Sequence, residues 1–431
     1  MKCQQALSTS VSTIPPSVPP PRRFSFVAVS IMGIQLPQEM LEEVIGYLEG
    51  DKATLLSCSM ANSALVPASR RLLFADVTLF PHEIKAAIHL LCAAYGTIAE
   101  AIRSLTISDK VVVSDLCTHL VAASRKEEPT PDVLPLRERL HLLKRLSFES
   151  VCDSAIPTEF WRMANGLHGV QEVQVEQLLC NSSAEFFSLM SSLPALEKFT
   201  VSKSHWFDVD MGLPSPCSRN IRHIPVLDIG PSAQKHVLRW LLNREVAPTI
   251  DTLRLNLAID FETILLVKQL FKVVGPNLSQ LHLSLVNGVC DPEILDVINL
   301  STCTNMRSLH VENRYDPDGQ PFVQAFILTL FPQLSSATWL KELSWTVGVD
   351  RGRAARTFIG LPEDILLRRF SWHLFSSVFH EYVGGQIEKV RLNITEYPAR
   401  LHEATEYYLK RVCFPVLEEE GKLEVVLVGV E

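Results

Sequence analysis

The sequence predicts an α/β protein in which a short three-helix module precedes an irregular solenoid of parallel strands, with helices on its convex side. Three observations carry that expectation. One short apolar pattern recurs through most of the chain at a nearly constant interval, amphipathic segments fill the gaps between its copies, and a separate set of short helical patterns runs from Leu36 to Phe74 ahead of them.

The first 32 residues form a Ser/Pro-rich leader. Lys2, Arg22 and Arg23 are its only charges, because no acidic residue precedes Glu39. Prolines at 15, 16, 19, 20 and 21 would break the amphipathic helix of a transit signal. With little apolar surface to bury, the leader is expected to be a disordered tail or an extension ahead of a start at Met32. Its apolar end, Phe24 to Ile34, has about half the length a helix needs to cross a bilayer.

Residues 33–78 read as the helical module. Leu41, Val44, Ile45 and Leu48 fall at i, i+3, i+4 and i+7, one stripe of a helix. Pro37 suits the first turn, and Glu39, Glu42 and Glu43 favour its positive end. Asp51 is placed to cap a second helix bearing Leu55, Leu56 and Cys58. Pro67 opens a third, with Leu72, Leu73 and Phe74 on its apolar side. A segment of about forty residues is marginal without a neighbour to pack on, which suits it to docking or to capping the region that follows.

The same residues resemble an F-box of the fungal F-box-like proteins. The family pattern is matched by Leu36, Pro37, Glu39, Leu41, Ile45, Leu48, Asp51, Leu55, Cys58, Ser59, Leu73 and Phe74. It departs where many members carry Cys-x-Trp near the third helix, since Ser63 and Ala64 stand there. The resemblance implies that Leu36, Pro37, Leu41, Ile45, Leu48 and Leu55 contact the Skp-type adaptor of a cullin-RING ubiquitin ligase. It also implies that the rest of the chain selects a protein target.

Residues 79–431 carry the recurring pattern: apolar, two variable residues, apolar, one variable residue, apolar. Copies begin at Ile102, Leu143, Val170, Leu196, Ile224, Ile250, Leu278, Met306, Leu340, Ile387 and Leu423. The second apolar residues Leu146, Val173, Phe199, Leu227, Leu253, Leu281 and Leu309 are spaced by 27, 26, 28, 26, 28 and 28 residues. A beat of 20–29 residues with this core is the signature of leucine-rich repeats, one strand and one returning segment each. About ten strands follow from it, the last centred on Val426. The Asn or Cys that usually follows the core is replaced by Val151, Leu178, Ser204, Ser232, Ala258 and Val286, so the repeats are degenerate. Helices are expected over 185–193 and 261–274, the second ending at Gly275, with another starting at Asp291-Pro292 and a long one over about 362–383. Insertions are expected at 124–132, 314–319 and 350–356.

In such an array the variable residues flanking each core position share the concave face. That assigns target binding to Arg145, Glu172, Gln174, Glu176, Lys198, Asp228, Arg254, Asn256, Gln280, His282, His310, Glu312, Lys389 and Arg391, with Glu149, Glu342 and Asn393 beside them. His282 and His310 occupy equivalent positions on neighbouring repeats.

Composition narrows the function classes. Apolar residues make up 47% of the 431, which excludes disorder throughout. A net charge of −8 argues against a surface dominated by phosphate contacts, so no nucleic-acid partner is expected, and no membrane. Ten cysteines show no CxxC pair and sit mostly in apolar runs, as reduced thiols do in the cytoplasm or nucleus. No phosphate loop, nucleophile elbow or HExxH is present, and no catalytic residue, metal or cofactor is assigned. The expected function is a non-enzymatic receptor subunit of an SCF-type ligase, the alternative a protein-binding scaffold whose module has lost the adaptor.

Overall fold

A computed structural model describes residues 37–92, 98–109, 138–180, 183–206, 223–243, 249–257, 260–285, 298–315, 328–334, 339–349, 372–382, 387–398 and 402–430. The leader, Leu36, Asp291-Pro292 and the predicted insertions at 124–132 and 350–356 lie outside them.

Three short helices come first: α1 (Gln38–Gly46), α2 (Lys52–Ala61) and α3 (Val66–Leu73). Asp51 caps α2 as expected, its carboxylate accepting from the Thr54 backbone N–H at 3.1 Å and from its hydroxyl at 2.6 Å. Ile45, Leu55 and Ala68 form a small separate core, with Leu48, Cys58, Leu65, Leu72 and Leu73 packed against it. Leu65 and Leu72 thus pack α3 onto this core.

Among the described residues, twelve strands follow in one parallel sheet. They are β1 (Asp76–Leu79), β2 (Ser104–Ser108), β3 (Arg145–Glu149), β4 (Glu172–Glu176), β6 (Lys198–Ser202), β8 (Val226–Ile229), β9 (Thr252–Leu257), β10 (Gln280–Leu285), β11 (Ser308–Tyr315), β12 (Glu342–Val349), β13 (Lys389–Pro398) and β14 (Leu423–Val430). Two-residue strands β5 (Leu179–Cys180) and β7 (His205–Trp206) pair beside it. Every pairing is parallel and nearest-neighbour in order, including β4 with β6. The mixed α/β architecture and the repeat order therefore stand as the spacing predicted.

The same clasp joins most repeats. Two residues before each core position one carbonyl accepts two successive N–H groups from the next repeat: Ala75 from Arg103 and Ser104 at 2.8 and 2.9 Å, and Lys144 from Gln171 and Glu172 at 2.8 and 2.9 Å. Arg103, Gln171, Asp251, Ser279, Arg307 and Lys341 act likewise. Participation of Ala75 makes Val77 the first core position, paired with Leu105. Phe74, Val77 and Leu79 are thus one more copy of the pattern, hidden because Phe74 also closes the helical module. The predicted boundary at 78 falls inside β1.

At the other end the register differs from the expectation. Val390 pairs with Leu423, not with Val426, and Val426 lies opposite Asn393. In this apolar run Leu423, Val425 and Leu427 face the core while Val428 is exposed, an alternation that apolar spacing alone could not phase.

Inward side chains of the strands meet the returning helices in one continuous core. Phe148 contacts Phe186, which contacts Phe199, which meets Trp240, with centroids 6.1–6.2 Å apart across successive repeats. Trp345, Phe375 and Phe414 continue this farther along, at 4.8 and 5.4 Å. The helices at Ser183–Ser191 and Phe261–Val274 match those read from the pattern, and Trp372–Tyr382 covers the end of the long one. Gly275 does not turn left-handed. It continues into a 3-10 turn, and a Cβ there would lie 2.6 Å from the Thr302 hydroxyl.

Val151, Leu178 and Ser204, standing where Asn is usual, are all fully buried. The preceding Ser150, Gln177 and Lys203 adopt positive φ of 53°, 58° and 52° and turn the chain. Backbone groups of the neighbouring repeat then satisfy the turn: Ser150 N–H donates to Glu176 at 2.7 Å and Gln177 N–H to Ser202 at 3.1 Å. The cysteines at 180, 303 and 413 are buried outside any disulfide, and burial pushes the thiols of Cys303 and Cys413 up to about 11.

Candidate recognition site

Two surfaces stand out, one on each part of the chain. On the module, the predicted docking residues divide. Pro37 is exposed and Leu41 and Leu48 are half-buried, but Ile45 and Leu55 are 2% and 1% exposed and form the module's own core. A marginal module must bury its longest apolar stripe to fold, which removes those two from any surface a partner touches. What remains outside is a second set. Met40, Val44 and Tyr47 lie at i, i+4 and i+7 on α1, and Leu56 and Met60 at i and i+4 on α2. Tyr47 is 83% and Met60 74% exposed. Val44 thus parts from Ile45, its neighbour in the apolar stripe of α1, and the other four carry no signal beyond being apolar on a helix. Arg71 braces α3 against α1 through paired hydrogen bonds to Glu42 at 3.1 Å, which hold that carboxyl below its ordinary range.

On the sheet, parallel in-register pairing sorts the predicted face into rows. The lowest contains Arg145, Glu172, Lys198, Gln280, Glu342 and Lys389, in register with their neighbours. The middle one contains Gln174, Asp228, Arg254, His282, His310 and Arg391. Glu149, Glu176, Asn256, Glu312 and Asn393 make the upper one. All are exposed or half-buried, whereas their sequence neighbours Leu146, Val173, Phe199, Leu227, Leu253, Leu281 and Leu309 are buried. Strand alternation therefore puts every predicted target-binding residue on one polar face.

That face is internally paired toward its ends. Glu172 accepts from Arg145 Nε at 2.8 Å and from Lys198 Nζ at 2.7 Å. Burial works against its ionisation, but these two cations prevail and hold its carboxyl below the usual range. At the far end Glu424 takes Lys389 at 2.7 Å and Arg391 at 3.0 Å. The centre is different. The rings of His282 and His310 meet with centroids 4.0 Å apart and planes tilted by 50°, on adjacent strands. His282 Nε2 lies 3.6 Å from Glu312, and His310 Nε2 shares a 3.4 Å contact with the Thr346 hydroxyl, itself reached by Asn393 Nδ2 at 3.1 Å. Burial, followed by the charges of His282, Arg254 and Arg391, pushes His310 down to about 4. Burial likewise lowers His282, though Glu312 and Asp228 oppose the shift, and burial raises Asp228 despite Arg254 at 3.9 Å.

Among the described residues no group of three or more His, Cys, Asp or Glu side chains is arranged to hold a metal ion, and no helix is long and apolar enough to cross a membrane.

No family model matches the chain, and no curated protein does. Among solved structures, an LRR protein of Leptospira interrogans is similar at 10% identity, covering 69% of this chain and 74% of that one, with a TM-score of 0.27. So low a score adds nothing to the fold, which rests on the register of its own strands.

Proposed function

We propose that this chain is the substrate-recognition subunit of a cullin-RING ligase of SCF type, its helical module docking a Skp-type adaptor and its polar sheet face holding a protein target. The observation that carries this reading is the exposure of Met40, Val44, Tyr47, Leu56 and Met60 on a module whose own core is three residues wide. Exposed apolar ridges on short helices suit a helix-packing partner. F-box resemblance at Leu36, Pro37 and the first-helix aliphatics names that partner. The docking surface in this reading is Leu36, Pro37 and Leu41 together with the exposed α1 and α2 residues, while Ile45, Leu48 and Leu55 shape it from beneath.

A receptor of this kind brings two proteins together and does no bond chemistry, so it needs neither metal nor cofactor. It works in the cytoplasm or nucleus, where its buried thiols stay reduced. Nucleic acid and membranes are not among its partners in this reading.

The test is co-precipitation. The intact chain should bring down Skp-type adaptor and cullin, and Leu36→Ala with Pro37→Ala, or Val44→Asp with Met60→Asp, should lose both while keeping the far-ultraviolet circular dichroism of the parent. A second reading, a scaffold that binds its target without the adaptor, is favoured by Ser63 and Ala64 at the family's Cys-x-Trp. It takes over if the unmodified chain captures no adaptor where a known F-box protein does.

A further inference from the structure

The middle row of the sheet face has an order that its composition conceals. From β8 to β14 the in-register residues are Asp228, Arg254, His282, His310, Ser344, Arg391 and Glu424. Acids stand at the two ends, guanidiniums come next, and imidazoles and a hydroxyl fill the middle. Each guanidinium has its carboxylate on the outer side: Asp228 lies 3.9 Å from Arg254 and Glu424 lies 3.0 Å from Arg391. With neighbouring strands about 4.8 Å apart, His310 lies about 10 Å from the Cα of each arginine, within the reach of both side chains.

No carboxylate of this row lies between the two arginines. Glu312, one row above, is 3.6 Å from His282. Lys198, Lys389 and Glu342 lie in the row below, the two lysines ion-paired to Glu172 and Glu424. The charges of His282, Arg254 and Arg391 all work against protonation of His310, and Glu312 is turned to His282 instead. The centre of the row is thus lined by imidazoles, a hydroxyl and two flanking guanidiniums, with no carboxylate of the row among them.

We propose that the gap over His310 and Ser344, between Arg254 and Arg391, receives a carboxylate side chain from an acidic segment of the bound partner. This rests on the sheet face being the target-binding surface and names what that surface selects. An incoming carboxylate accepts from the two guanidiniums and from the Ser344 hydroxyl, and it supplies the anion that favours imidazolium at His310. Binding is therefore coupled to proton uptake and tightens as pH falls.

The experiment is a titration of the intact, histidine-labelled chain with hexaglutamate at pH 7.5 and pH 5.5, read by nuclear magnetic resonance of the imidazoles, with hexaglutamine, hexalysine and inorganic phosphate as comparison probes. The expected result is saturable binding of hexaglutamate that moves the His310 pKa from about 4 to about 6.5 and so tightens about tenfold between the two pH values. Arg254→Ala with Arg391→Ala should abolish that binding, while His310→Gln should keep binding at pH 7.5 and lose the gain at pH 5.5. Should the double variant misfold, the His310 shift in the parent chain still decides. Hexaglutamine or hexalysine binding as well as hexaglutamate, an unmoved His310, or an equal effect of phosphate at equal concentration would each overturn the assignment. Since no adaptor is present, failure here leaves adaptor docking untouched, and failure of adaptor docking leaves this result standing.

Discussion

The helical module and the repeat sheet use apolar residues in opposite ways. The sheet and its helices bury Phe148, Phe186, Phe199, Phe271, Trp345 and Phe375 to 1% exposure or less in a core that continues from repeat to repeat. The module, with nearly the same kinds of residue, closes only Ile45, Leu55 and Ala68 and leaves Tyr47 and Met60 largely in water. A repeat satisfies its apolar face with the next repeat, so each addition leaves the same small remainder. Of the three short helices, α3 rests on the turn at Ala99–Ala101, while exposed residues of α1 and α2 form a surface that a partner can complete. The two parts thus differ in what they offer: apolar ridges on one, a row of charged and imidazole groups on the other.

The sharpest way to break this contrast is a charge in the middle of the array. Leu281→Asp places a carboxylate at a position 2% exposed among apolar side chains of the core, and should cost about 4–5 kcal/mol. Cooperative loss of protection in β9 to β11 under limited proteolysis is expected. An unchanged denaturation midpoint would contradict the register.

Ile45→Ala should cost less, about 2–3 kcal/mol, and should stay local because the module's core is separate from that of the repeats. Protease should then release residues 38–73 while the main unfolding transition keeps its midpoint; a matching fall in that transition would show one shared core.

A third effect concerns pH. His310 titrates near 4 when folded and near 6.5 when unfolded, so the unfolded chain binds more protons between those values and stability falls as pH falls through that window. Allowing for its partial exposure, acidification from pH 7 to pH 5 should remove about 1 kcal/mol, and His310→Gln should remove that loss. Equal pH dependence in both chains would show that the imidazole is solvated.

The smallest effect is a gain. Lys203 turns the chain at a φ of 52°, where glycine has no Cβ penalty, so Lys203→Gly should stabilise the sheet by about 0.5 kcal/mol in urea denaturation.

How far these features could be read in advance depends on whether a single period governed them. Leu146 to Leu309 kept a beat of 26–28 residues, and that alone placed β3, β4, β6 and β8 to β11, their order and the polar row with its paired histidines. Where two signals overlapped, reading failed. Phe74 belonged both to the helical module and to the first repeat, so β1 was missed, and Leu423 to Val428 is apolar on both faces, so its phase was three residues out. On α1 the spacing identified a stripe without saying which side of it meets water. Ile45 went inward, and the residues beside it stayed out. Left-handed turns at Ser150, Gln177 and Lys203 left no trace either, since none is glycine or asparagine.

The most direct measurement of the whole account is hydrogen exchange of the intact chain with and without purified Skp-type adaptor. The adaptor should slow exchange in α1 and α2, across Gln38–Gly46 and Lys52–Ala61, and leave β3 to β13 unchanged. No change anywhere, or protection confined to the strands that carry Arg254, His282 and His310, would contradict a division of labour between a docking module and a recognition face.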